Sequence, residues 1–456
     1  MFDLYGTLLG RFLFPAFEAA RGRPTVALLR HLEATQWWSL DQLRDLQMGY
    51  LRRLLRHTYR HTAYYRKLFD EHGIAPDRLH SVEELSKIPL LTRELAQDSF
   101  EARMSQVPPG IAVRKASSGT TGRPMVVAYN AESRHFRDAS RWRGYGWAGY
   151  RIGKRALHYW AAPLASTPRW NRFKADVDHR LKRDLYVDSS PRGDEALASA
   201  IASLRSFRPE VIVAYSQGAA ALARFVNERK LRDWDPIPVL CGAERVLPHD
   251  RTAIEQAFGP VFETYGCREV MLIGAECEHH DGMHTSMETM IVEVVVREPD
   301  GTTRAARPGE SGEVAVTDLH NLANPIIRYL TGDLAVARSS EVCKCGRQLP
   351  RIGPIEGRVT ETLHDGQGRA VSGLLFSILF VPLADAASQF QVVQRRDRTV
   401  VLRVVPKGGK LTPAAEKTAR DFVAKYLPGC PFQIESLQEI PLSPAGKRRL
   451  VVVEKD

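Results

Sequence analysis

No stretch of the chain approaches the run of about eighteen apolar residues that a membrane-spanning helix needs, so a span of that kind is excluded. Cysteine is scarce, six in 456 residues, which excludes a small disulfide-stapled scaffold and makes a reducing cytoplasm the expected location. Internal repeats and low-complexity tracts are absent, so solenoid and disordered-linker readings fall away. The opening MFDLYGTLLGRFLFPAF is apolar at intervals, yet Arg11 interrupts it and no small-residue cleavage site follows, so it does not read as a signal peptide. Contact of that segment with a membrane surface or a partner subunit, a homodimer included, stays open. What the chain does have is core-forming capacity: 44% hydrophobic and 26% charged residues. Its length suits two or three domains of roughly 150 residues each. The formal net charge of +11 favours anionic ligands without choosing among nucleotides, nucleic acid and membrane.

Residues from about Leu28 to Phe100 carry a helical pattern. Leu40, Leu43, Leu46, Tyr50, Leu51, Leu54 and Leu55 recur near the 3.6-residue period, and Ser39 with Gln42 forms a capping box. The neighbouring Arg52, Arg53, Arg56, His57, Arg60 and His61 read as a solvated helix face, with a phosphate-binding stripe as the sharper alternative. The middle of the chain alternates. Strands are expected at 210–214, 237–241 and 261–265, with helices at 217–230 and 248–258 between them, which means a parallel sheet with crossover helices. Ligands of such sheets gather at the carboxyl ends of the strands. That singles out Gly242, Ala243 and Glu244, and the run Gly266-Cys267-Arg268-Glu269. After Met290 the texture becomes antiparallel, with strands at 291–296 and 312–319 in a β-barrel-like or flanking sheet. The last hundred residues read as a small α+β domain, with strands near 359–363, 390–395, 399–405 and 432–440 and helices across 374–381 and 412–426. The expected organisation is therefore α/β: a large domain over 1–357 and a small, mobile α+β domain over 358–456.

The sharpest local signal is Lys115-Ala116-Ser117-Ser118-Gly119-Thr120-Thr121-Gly122-Arg123-Pro124, followed by strand-like Met125-Val126-Val127. Hydroxyls and glycines leave backbone amides and side-chain donors exposed, and such a nest wraps phosphate oxygens. The pattern is not the P-loop of kinases and GTPases, because its glycines lie three apart and no helix follows.

At this loop the chain resembles the adenylate-forming ligases, whose phosphate loop has the form SSGTTGxP. The likeness continues through Tyr265-Gly266-Cys267-Arg268-Glu269, where Arg268 stands in place of the family's Thr. It continues through Tyr329-Leu330-Thr331-Gly332-Asp333, the interdomain Gly357-Arg358, and Pro441 to Lys447. Trp37-Trp38, Tyr64-Tyr65-Arg66, Ile88 to Thr92 and Asn324 to Tyr329 are similar to the phenylacetate–CoA ligase branch, in particular its capsular polysaccharide biosynthesis (CapK-like) members. This resemblance implies ATP-dependent conversion of a carboxylic acid to an acyl-adenylate, then transfer to a thiol, with coenzyme A as the expected acceptor. ATP and Mg²⁺ are the implied cofactors.

The resemblance also implies residue roles. Ser117, Ser118, Gly119, Thr120, Thr121 and Gly122 would hold the β- and γ-phosphates, with Thr121 counted in the catalytic set. Glu269 would hold Mg²⁺ beside phosphate oxygens, its bland alternative being a salt bridge with Arg268. Tyr265 would lie against adenine, Gly266 would let the nucleotide approach, and Glu244 would border it. Asp333 would accept both ribose hydroxyls and Arg358 would lie near the ribose. Lys447 would bridge the substrate carboxylate and the α-phosphate in the transition state, acting in adenylation and leaving after domain rotation. Thr360 stands where many relatives carry Asp or Lys, which leaves the pivot open.

Cys343-Lys344-Cys345-Gly346 is a tight C-x-C turn, and Cys277 lies upstream with His279, His280 and His284. Three thiolates and an imidazole form a complete soft tetrahedral set for structural Zn²⁺. The expected ligands are Cys277, His284, Cys343 and Cys345, with His280 as the substitute that spacing does not separate from His284. Aromatics at Trp142, Tyr145, Trp147, Tyr150, Tyr159 and Trp160 suit an aryl or hydrophobic acid, or an ordinary core. An amine or hydroxyl acceptor and a non-catalytic scaffold remain as alternatives. A nucleic-acid partner is not expected, since no recognisable binding module is present.

Overall fold

The computed structural model describes residues 3–116, 125–160, 177–189, 193–298, 300, 302–358, 362–368, 370–372, 376, 379, 383, 386–440 and 450–454. Two compact units result, one built mainly from Met1–Ser117, Val126–Thr331 and Val336–Pro354, the other mainly from Ile355–Asp456.

The first unit opens with helices. Leu40–His61 is capped as its sequence requires: the Gln42 amide donates to the Ser39 hydroxyl at 3.3 Å, and the Ser39 amide donates to the Gln42 side chain at 3.0 Å. Its apolar stripe (Leu51, Leu54, Leu55) packs with Ile291, Leu319 and Ile327. On its polar face Arg53 pairs with Glu132 and Arg56 with Asp77, the plain solvated reading of the arginine cluster. A short antiparallel pair follows, β1 (Val113–Ala116) and β2 (Val126–Tyr129). The Ser/Thr/Gly loop between them lies outside the described residues.

The parallel sheet comprises β3 (Ala156–Trp160), β4 (Asp184–Asp188), β5 (Val211–Tyr215), β6 (Val239–Gly242) and β7 (Val261–Cys267). Helices Asp194–Phe207, Ser216–Glu228 and Pro248–Ala257 connect β4 through β7. Strands buried on both faces have no polar side to present, which explains the unbroken run Val211-Ile212-Val213-Ala214. Ile212 and Ala214 meet Leu204, Leu222 and Val226 of the helices, while Val211 and Val213 pack with Leu240 and Phe262 on the other side.

Beyond β7 come β8 (Met271–Glu276), β9 (Met283–Thr285), β10 (Met290–Arg297), β11 (Thr303–Ala305), β12 (Ser311–Asp318), β13 (Tyr329–Ala337) and β14 (Arg351–Arg358). Sheet order runs β11-β10-β12-β13-β14-β9-β8-β7-β6-β5-β3-β4. Of the two expectations for this region, the flanking sheet is the one found: the antiparallel strands extend the parallel sheet edge to edge, and among the described residues no pair joins β11 to β4.

The second unit has the hairpin β15 (Thr362–His364) and β16 (Ala370–Ser372), then a sheet of β17 (Ala387–Gln394), β18 (Val400–Pro406), β19 (Phe432–Ser436) and β20 (Val451–Val453) in the order β19-β18-β17-β20. Helix Pro413–Tyr426 buries Ala415, Ala419 and Val423 against it, with Thr412 accepting from the Ala415 amide as its N-cap. The helix expected across 374–381 falls mostly outside the described residues. Phe376, Leu379 and Leu383 are helical and buried in this core.

Candidate active site and metal cluster

The carboxyl ends of β3, β5, β6 and β7 converge as a doubly wound sheet requires. Trp160 closes β3 and stacks on Tyr215 at the end of β5, ring centroids 4.0 Å apart and planes 19° from parallel. Gly242 ends β6, and Ala243 follows with φ +66°, a left-handed conformation uncommon for alanine. Two bonds hold that turn. The Ser216 hydroxyl donates to the Glu244 carbonyl at 2.6 Å, and the Gln217 amide donates to the Glu244 carboxylate at 3.2 Å. Glu244 thus sits over the first turn of helix Ser216–Glu228, where partial positive charge suits a carboxylate.

At the end of β7, Tyr265 is buried and its hydroxyl lies 3.0 Å from that of Thr331 on β13. Gly266 has a local reason to be glycine: a Cβ there would stand 2.1 Å from the Met271 carbonyl, across the irregular register between β7 and β8. Glu269 is only 5% exposed. Its Oε1 accepts from the Tyr329 hydroxyl at 3.3 Å and lies 3.5 Å from Arg93 Nη1. The ion pair that engages Glu269 therefore comes from Arg93, in place of the Arg268 partner considered from the sequence. Arg137 donates to the Glu269 carbonyl at 2.7 Å and pairs with buried Asp318 at 2.6 Å, fixing the loop from beneath. Burial, with Glu269 close by, pushes the Tyr329 hydroxyl pKa far up, so it remains a donor.

No local sequence signal marks Arg93 and Tyr329 as Glu269 partners. They meet because residues 88–93 lie alongside β13: the Leu91 amide donates to the Arg328 carbonyl, and the Leu330 amide to the Leu91 carbonyl, both at 3.0 Å. Asp333 lies on β13 four residues after Tyr329, half-buried. Arg358 ends β14. Ser117, Ser118, Gly119, Thr120, Thr121, Gly122 and Lys447, expected at the site, lie outside the described residues.

The aromatic cluster disperses. Trp142 packs edge-on against Phe14, Trp147 donates to Gln36 and lies 5.5 Å from the His284 ring, and Tyr159 is buried under the crossover helices. Tyr145 and Tyr150 pack edge to face beside the β3–β5–β6 core, leaving Trp160 at the strand ends.

The four residues expected to ligate metal do come together. Sγ of Cys277, Cys343 and Cys345 and a ring nitrogen of His284 lie within 4.8 Å of one another. Cys277 Sγ and Cys343 Sγ are 3.8 Å apart, the separation that two Zn–S bonds of about 2.3 Å make at a tetrahedral angle. Cys345 Sγ lies 3.3 Å from His284 Nε2. The other ring nitrogen, Nδ1, is 3.0 Å from the Leu349 carbonyl, which accepts only. The imidazole is therefore protonated at Nδ1 and turns the Nε2 lone pair toward the thiols. Burial lowers the His284 pKa to about 4, so the ring is neutral, and burial raises the Cys277 thiol to about 12. The set is soft, neutral in its nitrogen and matched in spacing to a tetrahedral ion; it fits Zn²⁺. His280 points elsewhere, its Nδ1 3.0 Å from Glu276 and its ring 4.8 Å from Phe262.

No protein-family model matches the chain. A phenylacetate–coenzyme A ligase of Pseudomonas putida is 30% identical over 363 residues, spanning 74% of this chain and 74% of its own length. The chain belongs to the phenylacetate–coenzyme A ligase family. Protein CapK of Staphylococcus aureus is 20% identical over 431 residues, with 90% of this chain and 89% of CapK aligned. Among solved structures, a 2-hydroxyisobutyryl-CoA ligase captured in its postadenylation state with an acyl-AMP matches with a TM-score of 0.71 at 20% identity, over 92% of each chain. That likeness gives the fold of adenylate-forming ligases, an enzyme class to which the phenylacetate–coenzyme A ligase family also belongs. No helix among the described residues is long and apolar enough to cross a membrane.

Proposed function

We propose that this protein uses ATP to convert a carboxylic acid to an acyl-adenylate and then transfers the acyl group to coenzyme A. The observation that carries the reading is Glu269. It is a buried carboxylate held by Tyr329 and Arg93 just past β7, the strand that carries Tyr265, with Glu244 in the loop after the neighbouring β6. A carboxylate meeting a triphosphate brings two anions together, so the site must neutralise charge where it develops. Glu269 would hold Mg²⁺, a hard cation that prefers oxygen, and bound Mg²⁺ would withdraw charge from the phosphates.

The rest of the assignment belongs to the same proposal. Ser118, Thr120 and Thr121 donate to the β- and γ-phosphates, Tyr265 lies against adenine, and Asp333 and Arg358 bind ribose. Lys447 places its ammonium between the acid and the α-phosphate. Gly266 and Gly242 line the approach, although the tight β7–β8 register already accounts for Gly266. The division into 1–357 and 358–456 and a cytoplasmic location complete it. Zn²⁺ held by Cys277, His284, Cys343 and Cys345 clips the β8–β9 hairpin to the 343–346 turn and takes no part in the chemistry.

The test is ATP–pyrophosphate exchange over a panel of aryl and aliphatic acids. Exchange that requires an added acid, followed by thioester formation with coenzyme A, is the expected result. No exchange with any acid would favour a non-catalytic scaffold. Exchange without a thioester would point to an amine or hydroxyl acceptor.

A further inference from the structure

The segment Leu4–Ala20 is helical throughout, with a π-helical turn at Leu9–Leu13. One side is fixed to the body of the first unit by unusually close backbone contact. A Cβ on Gly6 would stand 2.6 Å from the Gly153 carbonyl, and one on Gly10 would stand 2.2 Å from the Ile152 carbonyl. Leu9 and Phe14 are buried on that side, and the Tyr5 hydroxyl donates to the Leu181 carbonyl at 3.0 Å. Asp3 caps the first turn and pairs with Arg183. This docking sets the rotation of the helix, and the outward side is apolar. Leu4, Leu8, Phe12, Leu13 and Phe17 are exposed, Leu4 by 64% and Phe12 by 59%, and Leu181 beside them by 58%.

Single exposed apolar residues are ordinary, but five in one seventeen-residue segment form a surface that water disfavours. Leu4, Leu8 and Phe12 follow at helical spacing, so the side is a stripe. The charge around it is mainly basic, since Asp178, in the helical turn that carries Leu181, is paired with Lys182 at 2.6 Å. Arg11, Arg21 and Arg180 are exposed, and the Arg21 guanidinium lies 4.2 Å above the Phe17 ring. The segment's two acids are engaged: Asp3 by Arg183, and buried Glu18 by Arg23 at 3.3 Å. A second copy docked through this face in a two-fold pairing would bring like cations together, which disfavours self-association.

We propose that this face docks on an anionic lipid surface, Leu4, Leu8, Phe12, Leu13 and Phe17 entering the headgroup–acyl boundary while Arg11, Arg21 and Arg180 meet lipid phosphates. The docking attaches the enzyme without a spanning helix and leaves the strand-end crevice to its own chemistry.

The test is co-sedimentation of the full chain, without ATP or acid, with vesicles of phosphatidylcholine alone and of phosphatidylcholine mixed with phosphatidylglycerol. Binding to the anionic vesicles is expected to be at least about tenfold tighter and to weaken with salt. The Leu8→Glu, Phe12→Glu double variant should lose about tenfold or more, and Arg11→Glu, Arg21→Glu should lose the preference for anionic lipid. Absence of vesicle binding by the unaltered chain would overturn the proposal. So would retained binding by Leu8→Glu, Phe12→Glu, or a dimer in sedimentation velocity that those two changes dissociate, since a second copy would then cover the face. Vesicle binding is read independently of exchange activity, so its failure and the failure of the acid-activation reading are separate results.

Discussion

The metal cluster and the strand-end crevice are both built largely from the same sheet, yet they are stabilised in opposite ways. The cluster is soft: largely buried cysteine sulfurs and one neutral imidazole whose tautomer the Leu349 carbonyl sets, drawn from β9 and the flanking turns. The crevice is charged, with Glu269, Arg93 and Glu244 arriving from separate parts of the chain and meeting partners at 3.2–3.5 Å. A buried donor set of fixed spacing suits a structural clip, and its loss should be felt as stability. Loosely held charge at strand ends is suited to a ligand that completes it, and its loss should be felt as rate.

The largest expected effect falls on the proposed acid-activation chemistry. Lys447→Ala should reduce acid-dependent ATP–pyrophosphate exchange by about 10³-fold, the upper range for removing one group that stabilises transition-state charge. Thioester formation from a supplied acyl-adenylate should stay near wild type, because the proposed assignment gives the lysine a part in the first half-reaction alone. A variant with full exchange would remove Lys447 from the mechanism.

Glu269→Gln should lower exchange by about 10²-fold and raise the Mg²⁺ concentration needed for half-maximal rate. Its Tm should hardly move, since the amide oxygen can still accept from Tyr329 and Arg93 is partly solvated. A large fall in Tm at unchanged specific activity would reverse the contrast between the two regions and make Glu269 a structural residue.

Cys343→Ser should do the converse. Metal analysis should fall from about one zinc per chain to none, and Tm should drop by roughly 5 °C or more, matched by chelation of the unaltered protein. Turnover of the folded variant at low temperature should remain within about twofold, because truncating a group away from the reacting atoms removes no transition-state contact. Zinc loss with no change in Tm would show that the cluster does not clip the fold.

How far sequence reached depended on whether the signal was local. The β5–helix–β6–helix–β7 unit was legible because burial on both faces writes apolar runs such as Val211 to Ala214, and crossover helices write their own period. The Ser39 cap box was legible for the same reason, since its partners lie three residues apart. Strands β8 and β9 were not read: β8 carries Gly274 and Glu276, β9 has three residues, and both exist through pairing with neighbours. Glu269 was legible as a strand-end carboxylate, but Arg93 lies 176 residues away and reaches it only because Leu91 bridges to Tyr329. The C-x-C turn announced a metal cluster. The choice of histidine was hidden in the register of β9.

That choice gives the smallest expected effect. His284 pairs with Ala275 on β8 and Arg351 on β14, which turns its ring inward to the thiols. His280 lies in the loop before β9, partly exposed, and touches Glu276, which already has Arg251 at 3.0 Å. His280→Ala therefore removes a partly solvated pair worth about 0.5 kcal/mol, within the range of surface ion pairs, and should leave zinc content unchanged. His284→Ala should lose the ion, because three thiolates without the imidazole leave one tetrahedral position open. Metal analysis of the two variants side by side decides the point: zinc lost from His280→Ala and kept in His284→Ala would exchange the assignments.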